Sequence, residues 1–81
     1  QNFPNPFNPT TTIRFELRDA SFVRLGVYDI SGRLVMELAN GWREAGVQEV
    51  TFDGSKLASG IYVYRIAAGD FSASGKMMLM K

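Results

Sequence analysis

Side chains that commonly perform catalysis are missing from this chain of 81 residues, which contains no histidine and no cysteine. These absences remove the commonest general base and the commonest thiol nucleophile, and they exclude disulfides and thiolate metal sites. The serines lie in turn-like or alternating contexts, and neither a G-x-S-x-G elbow nor a glycine-rich phosphate loop occurs. We therefore predict that the chain is not an enzyme and has no catalytic residue and no cofactor.

Three aspartates are the remaining candidates for acid–base chemistry. Asp29, Asp53 and Asp70 each lie close to glycine or serine where a strand is expected to end. Two carboxylates at a suitable separation can hydrolyse glycosidic bonds, but such positions are also typical of side chains that cap backbone N–H groups in turns. We favour the capping role. Because no D-x-D-x-D-G loop is present, we also predict no metal site.

Aromatic residues raise the alternative of a carbohydrate-binding module of a secreted hydrolase. Tyr62 and Tyr64 alternate with aliphatic residues, so packing in a core explains them without a ligand. Trp42 falls in residues 39–46, which are predicted to be irregular, and core packing does not explain it. We keep Trp42 as a candidate ligand contact, because exposed aromatic rings can stack on the faces of sugars.

Hydrophobic residues alternate with a period of two along most of the chain, as β-strands require. Turn-like sequences divide this pattern into six strands, and the proline-rich start of the chain is a candidate seventh. Strands at this spacing predict an all-β antiparallel sandwich of about seven strands. The predicted inward row of the third strand is Leu34, Met36 and Leu38. The predicted core contains Phe15, Val27, Leu34, Phe52, Tyr64 and Leu79.

The charged residues are interspersed, nine basic and eight acidic, and give a net charge of +1. No basic stripe is available to bind nucleic acid, and no apolar run approaches the roughly 20 residues that span a bilayer. We therefore predict neither a nucleic-acid partner nor a transmembrane segment. The chain begins with Gln1 and shows no signal peptide, so we expect it to be an excised part of a longer protein.

The first nine residues differ from the rest because they contain Pro4, Pro6 and Pro9. Proline fixes φ and lacks the backbone donor, which excludes a helix start or a central strand here. We predict an extended lead-in over residues 1–9 and a β-domain over residues 10–81.

Four segments follow one another along the chain: PNPFNPTTTIRF, LGVYDISGRLV, LASGIYVYRI and, at the end, KMMLMK. Together and in this order they resemble the C-terminal sorting domain of the type IX secretion system of Gram-negative bacteria. The resemblance implies an Ig-like fold and a non-catalytic signal that directs a larger cargo protein to the cell surface or the medium. An Ig-like domain of the flagellar hook-capping protein shares the first and third segments, so an Ig-like structural spacer is a further alternative.

The same resemblance implies the partners. They are an N-terminal cargo domain linked covalently to this one, the outer-membrane translocon, and a sortase-like peptidase that removes the domain after passage through the periplasm. The cargo would then be attached to surface lipopolysaccharide.

Residues at the end of the chain are the candidates for recognition. Alternation should turn Met77 and Leu79 inward, which leaves the opposite side exposed. Exposed methionines on an edge strand form an adaptable binding surface, although another strand or the parent protein would explain that side equally well. The resemblance favours recognition by the translocon, through Lys76, Met78, Met80 and Lys81.

Overall fold

A computed structural model describes residues 10–80, which form six β-strands and no helix. The strands are β1 (Thr10–Leu17), β2 (Ser21–Tyr28), β3 (Leu34–Arg43), β4 (Gly46–Asp53), β5 (Gly60–Ala68) and β6 (Phe71–Leu79). The predicted all-β, Ig-like antiparallel sandwich is confirmed. The predicted lead-in at residues 1–9, with its candidate seventh strand, and Lys81 lie outside the described residues.

Two antiparallel sheets contain all six strands. The small sheet pairs β1 with β4, and the large sheet has the order β3-β2-β5-β6. The chain therefore changes sheet after β1, after β3 and again after β4. Because residues of both sheets belong to one hydrophobic cluster, the two layers bury a common core.

The core follows from the period-two alternation within the strands. Ile13, Val23, Leu25 and Val27 are 0% exposed, and Phe52 is 1% exposed. Within residues 10–80 the core contains no buried polar or charged side chain, so the layers are held together by apolar burial. Five of the six predicted core residues are buried, namely Phe15, Val27, Phe52, Tyr64 and Leu79.

The third strand is where the sequence interpretation was wrong. Leu34 is 49% exposed, because β3 carries two register irregularities against β2, at Leu25/Gly26 and at Val27/Tyr28. Each irregularity is typical of a β-bulge, which inserts an extra residue and shifts the alternation of the strand. Val27 therefore pairs with Met36 on the inner side, whereas Tyr28 pairs with Leu34 on the outer side.

The stretch predicted to be irregular is also largely strand. β3 continues to Arg43 and β4 begins at Gly46, so only two residues connect them. Trp42 consequently lies in a strand, opposite Phe22 of β2, and not in a long loop.

A buried tyrosine fixes the start of β5. The Tyr62 hydroxyl donates a hydrogen bond of 2.7 Å to the carbonyl oxygen of Ala58. This bond satisfies the phenol of a side chain that is 7% exposed. It ties the connection before β5 to the core, in the manner of the tyrosine corner of Ig-like sandwiches. The predicted core roles of Tyr62 and Tyr64 are thus confirmed.

Candidate functional site

Two of the three aspartates that were candidates for chemistry, Asp29 and Asp53, cap turns. The Asp29 carboxylate accepts hydrogen bonds from the hydroxyl of Ser31 at 2.6 Å and from the backbone N–H groups of Ser31 and Arg33 at 3.0 Å each. These bonds, chiefly the one from the Ser31 hydroxyl, hold the pKa of Asp29 below its ordinary value of 3.8. Asp53 accepts a 3.0 Å hydrogen bond from the N–H of Ser55 in the same manner. Both carboxylates serve the backbone.

A metal centre has no support in the part of the chain that the structure describes. There, no three acidic side chains come together in a way that could hold an ion.

The end of β6 and Met80, the residue after it, divide their side chains between the core and the surface. Met77 and Leu79 are 4% and 6% exposed, whereas Met78 and Met80 are 57% and 48% exposed. Lys76 is also exposed. Within residues 10–80, β6 pairs only with β5, so the backbone groups on its other side are open to a partner.

Met78 and Lys76 belong to a larger surface, which we call the outer face and which consists of the outward side chains of the large sheet. Cross-strand pairing aligns its members in rows. From one end of the sheet to the other, the rows are Trp42–Phe22, then Asn40–Arg24–Ala67–Ser72, then Glu37–Gly26–Arg65–Ser74, then Leu34–Tyr28–Val63–Lys76, and finally Ile61–Met78.

A groove of about 630 Å³ crosses the middle of the outer face. It exists because Gly26 has no side chain and because Ala67, Ser72 and Ser74 have small ones. The Leu34 side chain packs closely against the backbone of Gly26. A Cβ atom added to Gly26 would lie 2.9 Å from Cδ1 of Leu34, so a larger residue does not fit there without a shift.

Two arginines line this groove. Arg24 and Arg65 approach it from β2 and β5, and Glu37 lies on the β3 side. The guanidinium carbon of Arg65 lies 4.9 Å from the centroid of the Tyr28 ring, a distance at which a cation is attracted to the ring face. Tyr28 therefore holds one of the two guanidinium groups in place.

An aromatic pair ends the outer face. The rings of Phe22 and Trp42 meet edge to face, with centroids 6.2 Å apart and an interplanar angle of 89°. Trp42 is nevertheless 73% exposed. The structure thus brings the candidate ligand contact Trp42 onto the same face as Lys76 and Met78, although at the opposite end from Met78.

Sequence reasoning missed Arg24, Arg65 and Phe22 as members of a site. The available signal is the period-two alternation of β2, which puts Arg24 and Tyr28 on the side opposite the core residue Val27. What the sequence lacks is the pairing order that brings residues of four strands together.

Comparison of the sequence with models of known protein families gives one match, which includes all six strands. The sequence model of the secretion system C-terminal sorting domain matches residues 1–80. No curated protein matches the chain. Residues 10–80 contain no helix able to cross a membrane. Since the family match spans the complete sandwich and continues through β6, the chain belongs to the family of C-terminal sorting domains of the type IX secretion system.

Proposed function

We propose that this domain is a non-catalytic signal that directs a covalently linked N-terminal cargo through the periplasm and across the outer membrane by the type IX system. The translocon recognises the domain, and a sortase-like peptidase then separates it from the cargo, which remains at the cell surface or enters the medium. The observation that supports this proposal is the family match over residues 1–80.

The geometry of β6 supports recognition by the translocon. An edge strand can be extended by a strand of a partner, which supplies main-chain hydrogen bonds. Met78 and Met80 offer flexible apolar contacts beside that edge, and Lys76 adds a positive charge. Lys81, which lies outside the described residues, completes the proposed recognition segment.

A fusion experiment tests the proposal. Residues 1–81 attached behind a periplasmic reporter should carry it to the surface or medium of a host with the type IX machinery. Deleting residues 76–81 should leave the reporter in the periplasm, because the deletion removes both core contacts and the recognition segment. Export of the deletion variant at the level of the intact fusion would contradict the proposal and favour an Ig-like structural spacer.

The double substitution Lys76→Ala and Lys81→Ala separates recognition from stability. It changes no inward side chain, so the domain should remain folded while export falls. A folded double variant that is exported normally would show that the segment acts through stability alone.

A carbohydrate-binding module is the second candidate, and the exposure of Trp42 is the observation that favours it. We expect no binding of neutral polysaccharides, because Trp42 stands with Phe22 at the rim of the face and no further aromatic ring adjoins the pair among residues 10–80. Affinity electrophoresis through xylan, cellulose and mannan measures this. Retardation that disappears in Trp42→Ala would place carbohydrate binding first.

A further inference from the structure

Charge is distributed unequally between the two outer surfaces of the sandwich. The outer face of the large sheet has three cations and one carboxylate, namely Arg24, Arg65, Lys76 and Glu37. The outer side of the small sheet has one cation and three carboxylates, namely Arg14, Glu16, Glu49 and Asp53. A nearly neutral chain therefore presents one positive surface and one negative surface.

Two of the three cations of the outer face, Arg24 and Arg65, line the groove, and one carboxylate, Glu37, lies there with them. Among residues 10–80, the ion pairs are Arg14–Glu49 and Arg33–Asp29, so neither Arg24 nor Arg65 has a carboxylate partner. Glu37, the acidic residue at the groove, accepts a hydrogen bond from Asn40 at 3.4 Å. Arginine binds carboxylates with two parallel hydrogen bonds, and the groove has room for such a group.

The surroundings of the groove indicate the kind of molecule that would supply the carboxylate. One end of the outer face has Phe22 and Trp42, and the other has Ile61 and Met78, which are 45% and 57% exposed. Tryptophan, tyrosine, methionine and arginine are the residues enriched where proteins bind each other. Aliphatic side chains such as those of Ile61 and Met78 pack against protein side chains and offer no platform for a sugar ring.

We propose that the outer face of the large sheet is a docking surface for a protein of the secretion machinery, and that Arg24 and Arg65 bind an acidic side chain of this partner in the groove over Gly26. This inference rests on the proposed sorting function and adds the chemistry of the partner. Lys76 and Met78 lie on the same face, so the docking surface is continuous with the recognition segment at β6.

A binding experiment tests the groove directly, with the complete 81-residue chain. Trp42 is the only tryptophan and lies on the outer face, so its fluorescence reports occupation of that face. The probe is a capped hexaglutamate peptide, with a hexaglutamine peptide as the neutral control. We expect saturable binding of hexaglutamate that weakens at higher salt, and no binding of hexaglutamine.

Charge-matched variants show where the peptide binds. Arg24→Gln with Arg65→Gln should weaken hexaglutamate binding by roughly tenfold or more, because it removes charge-assisted hydrogen bonds. Arg14→Gln with Arg18→Gln removes the same charge elsewhere and should leave binding nearly unchanged. Equal weakening by both variants, or no binding by the wild type, would overturn the proposal. Tighter binding of polygalacturonate than of hexaglutamate would overturn it in favour of an acidic polysaccharide.

Export of the reporter fusion tests the identity of the partner. The Arg24→Gln, Arg65→Gln fusion should accumulate in the periplasm, while the Arg14→Gln, Arg18→Gln fusion is exported like the wild type. Circular dichroism and thermal melting check that both variants fold. Normal export of the first variant would overturn this inference and leave the sorting function standing. Failure of the wild-type fusion to be exported would overturn the sorting function, and with it the assignment of the partner to the secretion machinery.

Discussion

The two sheets of this sandwich share one core but present very different surfaces. The small sheet exposes mainly threonines and charged residues to solvent, with Arg14 and Glu49 forming an exposed ion pair at 3.8 Å. Within residues 10–80, Val47 is the one large apolar residue on that side. The large sheet shows aromatic and aliphatic side chains around two arginines without acidic partners. Such a contrast within one small domain indicates that the small sheet serves mainly to complete the core. The large sheet and its edge strand β6 are available for function.

Disrupting the shared core should destabilise both sheets together. Phe52 extends from the small sheet and is 1% exposed, so Phe52→Ala leaves a cavity and should cost ~3–5 kcal/mol. For a domain of this size that is a large part of the total stability. Urea unfolding followed by far-UV circular dichroism measures it. A loss below about 1 kcal/mol would contradict the single shared core.

Gly75 in β6 leaves room for the ring of Tyr64, which packs directly against it. A Cβ atom added to Gly75 would lie 2.6 Å from three atoms of the Tyr64 ring, so Gly75→Ala should force that ring aside and cost about 1–3 kcal/mol. Gly41→Ala, in β3, is the matched control, because nothing lies within 4 Å of the added atom. Thermal melting of both variants provides the comparison, and equal melting temperatures would show that Tyr64 moves freely.

Matched arginine substitutions sharpen the contrast between the two surfaces. Arg65→Gln removes the contact with the Tyr28 ring and should cost about 0.5–1 kcal/mol. Arg14→Gln removes an ion pair whose two side chains are 55% and 59% exposed, so it should change the stability by about 0.5 kcal/mol or less. Urea unfolding at low and high salt distinguishes them, because salt screens the exposed pair. A larger effect of Arg14→Gln would reverse the contrast.

The turn after β2 should give the smallest effect, and one that depends on pH. The folded-state pKa of Asp29 lies below the ordinary 3.8. Its carboxylate therefore stabilises the folded domain above that pH, and this contribution is lost as the pH falls through the lowered pKa. Asp29→Asn should be slightly less stable than wild type at neutral pH, and the difference should shrink as the pH falls below 3.8 and through the lowered pKa. A difference that stays constant with pH would show that hydrogen bonding, and not charge, stabilises the turn.

Local sequence pattern was sufficient for most of the fold. Alternation correctly placed Phe15, Val27 and Phe52 inward, since each strand needs only its own residues to define two sides. It failed for Leu34, because the bulges depend on how β3 pairs with β2 and leave no recognisable pattern in the sequence of β3 itself. It failed for residues 39–43 because Asn40 and Gly41 are typical of loops, whereas pairing with β2 keeps them in a strand.

The candidate site was harder to predict from the sequence than the fold, for a related reason. Exposure of Met78 follows from alternation within β6. Arg24 and Arg65 line one groove because β2 lies beside β5. In the sequence these two strands are separated by β3 and by β4, which belongs to the small sheet. Contacts of that range are set by the packing of the entire chain and cannot be derived from any one segment.

The bulges of β3 have a consequence for how the domain meets other chains. Within residues 10–80, β3 and β6 are the two edges of the large sheet. Irregular pairing twists an edge and makes it a poor template for a further strand, whereas β6 pairs with β5 in unbroken register from Phe71 to Leu79. A further strand can therefore be added to the large sheet more readily at β6 than at β3. A domain built this way offers one open edge, at β6, to a partner strand and resists stacking edge to edge into polymers.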